Sequence, residues 1–328
     1  MLTEYPWFDN INENLSQALL NERMPHALMI QSPPKSGKAA FAFGFAKSLL
    51  CSQVADLSGS CGECKSCQLF DAGTHPDFYG VDKLVDAKGK QKKSIGIEQV
   101  RELTANLRDT AQLGGFRIAL VHSVEAMTTA SFNALLKTLE EPGKDTILVL
   151  LANNQASIPA TIRSRCQLIK PELTGETLIP WLQSQVDAPE IEVKDALDTS
   201  YWAPLAALEY LNEEGASLVK SFFDKLDRVL LNQLTPVEFL DQVDSTGDSI
   251  IDEVTNYFYH VEKCQALKLH QDRYQRIPHR LIFQIYAKLL ELKRAQQAGS
   301  NLQTRLQIEV ILIQWFEFGK KLVHYSNS

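Results

Sequence analysis

Four of the six cysteines, Cys51, Cys61, Cys64 and Cys67, stand together as C-x9-C-x2-C-x2-C. Zn²⁺ takes four ligands in a tetrahedron, and a C-x2-C knuckle supplies two thiolates from one tight turn near that geometry. Cys61, Cys64 and Cys67 give three ligands at successive i+3 spacings, Gly62 suits the turn, and Cys51, at the end of a preceding helical run, gives the fourth. In a reducing compartment such crowding favours a metal over disulfides. An Fe–S cluster and free thiols are the alternatives, but ferredoxin-type runs add a later cysteine followed by proline, which is missing here. With cysteine at all four positions no site is left open for water or substrate, so the zinc is expected to be structural. Cys166 and Cys264 read as ordinary thiols.

The second chemical motif is a damaged one. A working phosphate loop has the form G-x-x-x-x-G-K-[ST]: its backbone N–H groups wrap phosphate, its lysine neutralises it and its hydroxyl ligates Mg²⁺. Residues 32–39 read SPPKSGKA, so Gly37 and Lys38 remain while Ser32 replaces the first glycine and Ala39 the hydroxyl. Pro33 and Pro34 remove two backbone donors. Such a loop retains some attraction for phosphate through Lys38 but is expected to hold Mg²⁺ poorly.

Hydrolysis also needs acidic residues at a neighbouring strand end, one for Mg²⁺ and one to activate water. After the apolar run RIALV at 117–121 stand His122 and Ser123, and neither replaces a carboxylate. His122 reads as structural. Glu125 is two residues further on, a shift expected to carry it beyond the strand end. Past the run ILVLLA at 147–152 lies Arg163-Ser164-Arg165-Cys166. An arginine beside a dead nucleotide site can still serve chemistry by reaching a neighbour's site; the plainer reading is a surface or sheet-end arginine.

The elements that must carry these residues follow from hydrophobic periodicity. HALMIQ at 26–31, the loop, and a helical run at 39–50 make a strand, loop and helix. His75, Pro76 and Asp77 lead into a further strand, and five lysines with one glycine at 83–93 read as a solvated loop. Ile97, Val100, Leu103 and Leu107 mark one helix, and Phe132, Leu135, Leu136 and Leu139 another that Pro142-Gly143 stops. Alternating strands and helices predict a parallel sheet covered on both faces, an α/β domain over residues 1–170 with the zinc module at 51–67. Leu178, Trp181, Leu182 and the run 196–211 predict a small helical lid over 171–213. From 214 to 328 the stripes predict an all-α bundle: Leu218/Val219, Phe222/Phe223, Leu226 and Val229/Leu230; Ile250/Ile251, Val254, Phe258 and Val261; Leu281/Ile282, Ile285/Tyr286 and Leu289/Leu290; and Leu306, Val310, Ile313 and Phe316. All four are expected to face its core.

A chain of 328 residues, 45% hydrophobic, is long enough for several cores. Residues 1–10 lack the basic and apolar regions of a signal peptide, and the longest clean apolar run, 147–152, is too short to span a bilayer, so a cytoplasmic, membrane-free chain is expected. A formal charge of −7 gives no net drive toward phosphate backbones and disfavours a free-standing zinc-dependent nucleic-acid-binding module. The missing acids disfavour an autonomous P-loop ATPase.

Residues 132–142 (FNALLKTLEEP), followed by Ser164-Arg165-Cys166, closely resemble the bacterial clamp-loader AAA+ subunits of DNA polymerase III. The resemblance is strong from Tyr5 to Cys166 and weak over the helical remainder, where Asn301-Leu302 and residues 306–313 look like a final collar helix. Within that family the lost loop glycine, hydroxyl and acids resemble the non-hydrolysing members, as does Gly73-Thr74-His75-Pro76-Asp77. The resemblance implies an AAA+ domain with its zinc module, a lid, and a C-terminal collar that joins a pentameric ring. The implied partners are clamp-loader ATPase subunits and the delta subunit, with the sliding clamp and primer-template DNA engaged through the complex at the replisome. It implies that Arg165 acts in trans on the ATP of an adjacent subunit and that this chain does not hydrolyse ATP itself. Residues 200–208 (SYWAPLAAL) carry no clear counterpart of the arginine with which active relatives sense nucleotide.

Overall fold

The computed structural model describes residues 5–54, 56–85, 89, 91–92, 94–108, 110–154, 157–243, 248–266, 274–297 and 303–326. Asn301, Leu302 and, in the lysine-rich loop, Lys88, Lys90 and Lys93 lie outside the described residues, as do the side chains of Leu218 and Val219. The chain divides into two compact units, one of residues 1–187 with 202–206 and the other of 188–201 with 207–328. The division falls inside the segment 171–213.

In the first unit the expected alternation is realised. After α1 (Asp9–Leu20) come β1 (Ala27–Gln31), α2 (Lys38–Leu50), α3 (Lys65–Asp71), β2 (Phe78–Val81), α4 (Ile97–Asn106) and β3 (Arg117–Val121). They are followed by α5 (Thr129–Glu140), β4 (Thr146–Ala152), α6 (Ala160–Arg163), β5 (Gln167–Ile169) and α7 (Gly175–Gln185). The five strands form a wholly parallel sheet in the order β2-β3-β4-β1-β5. β3 and β4 are buried along their entire length, which is why both read as unbroken apolar runs rather than as alternation. Val100, Leu103 and Leu107 of the α4 region pack with Phe132, Leu135 and Leu139 of α5 in one core cluster against the sheet. Thr128 caps α5 by accepting from the N–H of Ser131 at 3.2 Å, and Pro142 lies just past its end.

The second unit contains α8 (Glu190–Thr199), part of α9 (Pro204–Leu211), α10 (Glu213–Leu230), α11 (Pro236–Asp241), α12 (Asp248–Ala266), α13 (His279–Gln297) and α14 (Thr304–Ser326). Phe222, Leu226, Val254, Phe258, Ile282, Ile285 and Leu289 enter its core as the stripes require. Of the fourth stripe only Phe316 packs against it. Leu306, Val310 and Ile313 are 48%, 50% and 43% exposed, and α14 buries Ile308, Ile311, Leu312 and Trp315 instead. The helix is apolar on two faces, so periodicity identified a stripe without deciding which one packs; the face bearing Trp315 buries far more apolar surface. Among the described residues no helix is long and apolar enough to cross a membrane.

Candidate functional site

Parallel strands deliver their C-terminal ends to one edge of the sheet, where α/β proteins place ligands. The loop from β1 to α2 lies there, but its own groups occupy it. Lys38 Nζ donates to the carbonyl oxygens of Ser32 at 2.8 Å and Pro33 at 3.1 Å and to Oδ1 of Asn153, past the end of β4, at 2.6 Å. An ammonium has three N–H groups, and each has a protein acceptor. Burial pushes the Lys38 pKa down to about 8, against the opposing pull of the Glu125 carboxylate. The hydroxyls of Ser32 and Ser36 pair at 2.5 Å, Trp7 Nε1 donates to the Ser36 carbonyl at 2.8 Å, and the N–H of Leu205 donates to the Lys35 carbonyl at 3.0 Å.

Gly37 is needed for two reasons. Its φ of +84° is left-handed, and a Cβ there would stand 2.5 Å from the ring of Tyr5. That ring stacks on Trp7 at 5.1 Å, with Trp181 edge-on to Trp7 at 5.0 Å. An aromatic lid thus lies directly against the loop. No sequence motif marks Tyr5 or Trp181 as part of this region; Trp7 and Trp181 are simply large apolar residues until the fold joins them.

The acidic position is also different from a hydrolytic one. His122 packs on the ring of Phe43 at 5.2 Å, and burial lowers its pKa, with Asp82 opposing. Glu125 does not run past the strand end. The 3-10 turn Val124–Ala126 folds it back, and its Oε1 accepts from the backbone N–H groups of Asn153 and, at 2.9 Å, Asn154. A carboxylate is therefore present at the sheet edge, but it is committed to capping β4. The short 3-10 turn, which spacing alone does not reveal, accounts for the difference.

The four cysteines converge. Cys51 sits at the C-cap of α2 and Cys64 at the N-cap of α3, and all four Sγ atoms lie within 4.8 Å of one another. Cys51 and Cys64 are 4.0 Å apart and Cys61 and Cys67 3.9 Å, close to the ~3.8 Å edge of a tetrahedron of zinc–thiolate bonds and far from a disulfide. The N–H groups of Cys61, Cys64 and Cys67 each point at the sulfur of the preceding ligand, at 3.5, 3.3 and 3.4 Å. The donor set fits a zinc ion in a structural site, where it would cross-link the end of α2 to α3. Burial pushes the Cys67 thiol up to about 12, so holding it as a thiolate falls to a cation.

Behind the cluster, His75 Nδ1 accepts from the N–H of Asp77 at 3.1 Å, which leaves Nε2 to donate to Ser66 Oγ at 2.7 Å, while Ser66 donates to the Leu50 carbonyl at 2.5 Å. The fully buried Asp77 accepts from the N–H groups of Gln112 and Leu113 at 2.7 and 2.9 Å. Neutral His75 spends its one N–H on Ser66, so the pair is a brace between α3 and β2 and no nucleophile dyad.

Arg165 lies at the other edge of the sheet. It sits in the turn between α6 and β5 and pairs with Glu140, which follows Leu139, whose carbonyl meets His26 Nε2 at 3.0 Å just before β1 begins. Its NH2 group meets Glu140 Oε1 at 2.6 Å, and NH1 donates to the Thr161 carbonyl at 2.8 Å and to Ser164 Oγ at 3.3 Å. Burial raises the Cys166 thiol to about 11, which keeps it protonated at neutral pH.

The family described as "DNA polymerase III, delta subunit" matches residues 8–173, which contain the loop, the cysteines and Arg165. The delta′ subunit of Haemophilus influenzae is 31% identical over 278 residues, 84% of this chain and 82% of its own length. The chain belongs to the DNA polymerase III delta′ family. The delta′ subunit of Escherichia coli is 38% identical over 206 residues, 62% of this chain; the match spans 60% of that relative's length. A DNA polymerase III gamma subunit-related protein from Thermotoga maritima shares the fold at a TM-score of 0.52 and 18% identity, with 94% of this chain and 99% of that one covered.

Proposed function

We propose that the chain is a non-hydrolysing subunit of the DNA polymerase III clamp loader, which helps place the sliding clamp on primed DNA and lends Arg165 to the ATP site of a neighbouring subunit. The observation that carries this reading is the placement of Lys38 and Arg165. Lys38 is held beyond the C-terminal end of β1, and Arg165 is anchored near its N-terminal end, through Glu140 beside the Leu139–His26 contact. The five residues of β1 separate the two ends, about 16 Å at 3.3 Å per residue, too far for an arginine to reach a phosphate bound on its own loop. An arginine so placed serves a nucleotide only on another chain.

Three further features support a silent site: the ammonium consumed by its own loop, the aromatic lid over Gly37, and the carboxylate consumed by β4. The lid 171–213 and the collar 214–328 would complete a three-domain subunit in a pentameric ring with ATPase subunits and the delta subunit, in the cytoplasm. Zinc held by Cys51, Cys61, Cys64 and Cys67 would be structural.

The test is ATP hydrolysis by the reconstituted complex in the presence of clamp and primed DNA. Arg165→Ala should leave assembly intact and lower stimulated turnover by at least about tenfold, as loss of a transition-state arginine does. Unchanged turnover sinks the trans role.

A further inference from the structure

We infer that Glu140 is a positioning residue for Arg165, holding its guanidinium in the orientation in which it meets the neighbouring subunit's nucleotide. The inference rests on the trans role proposed for Arg165.

Arginine has four rotatable side-chain bonds and, on a surface, samples many rotamers. Here three acceptors from two elements fix it. Thr161 and Ser164 belong to α6 and the turn after it, and Glu140 is the last residue of α5. The two NH1 hydrogens are used by Thr161 and Ser164, and one NH2 hydrogen by Glu140. Of the five N–H groups of a guanidinium, the Nε hydrogen and one on NH2 remain for an acceptor on another chain. Arg163, two residues away, makes no side-chain hydrogen bond or ion pair with a described residue, so the immobilisation is specific to Arg165.

The pair is not explained by folding. Its side chains are 35% and 49% exposed, and ion pairs so open to solvent contribute little to stability. The geometry does have a use in catalysis, because a catalytic group fixed before the reaction loses less freedom in the transition state. Glu140 also belongs to α5, whose Leu135 and Leu139 are buried against the sheet, so the anchor is attached to a rigid body.

The test is clamp- and DNA-stimulated ATP hydrolysis by the full reconstituted complex, with assembly checked for each variant. Glu140→Ala should lower kcat about five- to twentyfold and leave the KM for ATP within about twofold, since positioning acts in the transition state. Glu140→Gln, which keeps an oxygen acceptor at the same place, should retain at least about half of kcat. In an Arg165→Ala background Glu140→Ala should cost nothing further, because the two residues act as one unit. An equal loss in both backgrounds, a Gln variant as impaired as the Ala variant, or an unchanged or raised kcat in Glu140→Ala would overturn the assignment. If Arg165→Ala lowers turnover and Glu140→Ala does not, only this inference fails; if Arg165→Ala has no effect, the trans role itself fails.

Discussion

Lys38 Nζ donates to Oδ1 of Asn153 at 2.6 Å, joining the loop after β1 to the end of β4 across the edge where a nucleotide would lie. The same ammonium holds two carbonyl groups of its own loop. A phosphate would have to displace all three and the Tyr5 ring as well. The isolated chain should therefore show no saturable ATP binding by calorimetry, and Lys38→Ala should leave the stimulated turnover of the complex within about twofold, since no transition-state contact is removed. A large loss on Lys38→Ala would return this loop to the catalytic machinery.

Burial of the Lys38 ammonium predicts a pH dependence of stability. Its pKa in the folded chain is about 8, against the ordinary lysine value of 10.5 that the unfolded chain regains. Between those values the unfolded chain binds more protons, so the contribution of Lys38 to stability becomes more favourable as pH rises; below pH 8 both states are protonated and it is flat. Relative to Lys38→Met, which cannot titrate, the wild-type chain should gain stability from about pH 8 to pH 10, by at most ~1.4 kcal/mol per pH unit. Urea midpoints of the two proteins at pH 7, 8.5 and 10 measure it. A difference that stays flat across this range would mean that the ammonium is solvated, and one that shrinks that the fold stabilises its charge.

Much of the first unit was legible because its signals are local. Strands buried on both faces read as continuous apolar runs, and Thr128 and Pro142 bracket α5 chemically. The C-x2-C spacing likewise carries its own geometry. What was not legible depends on contacts distant in sequence. Glu125 returns to Asn153 through a single short turn, Tyr5 lies over Gly37, and Glu140 meets Arg165 only once α5 and α6 are packed. The exposed stripe of α14 shows a different limit: a helix with two apolar faces satisfies the periodicity twice, and only the rest of the bundle selects between them.

The thiol cluster predicts a local response to metal loss. Four sulfurs within 4.8 Å need a cation to remain together as thiolates, and without it the ends of α2 and α3 lose their cross-link. Cys64→Ser should abolish stoichiometric zinc by elemental analysis and raise amide hydrogen exchange over residues 51–75, where Ser66 and His75 brace the module. Amides of β1 and β4, at the centre of the sheet, should stay protected. Uniform loss of protection through the sheet would assign the metal to the whole domain.

The two faces of α14 should separate assembly from stability. Leu312 is fully buried, and removing its side chain leaves a cavity worth about 2–5 kcal/mol, so Leu312→Ala should lower the melting temperature. Leu306 and Val310 are four residues apart on the outer face, half exposed, and a charge there remains in water. A Leu306→Glu, Val310→Glu double variant should therefore melt within a few degrees of the wild type. If the collar joins its neighbours through this face, burying two carboxylates without partners should prevent the variant from entering the complex, which size-exclusion chromatography with the other subunits reads directly. A double variant that melts normally and still assembles would move the collar interface to another face of the bundle; one that unfolds would show that the stripe is packed after all.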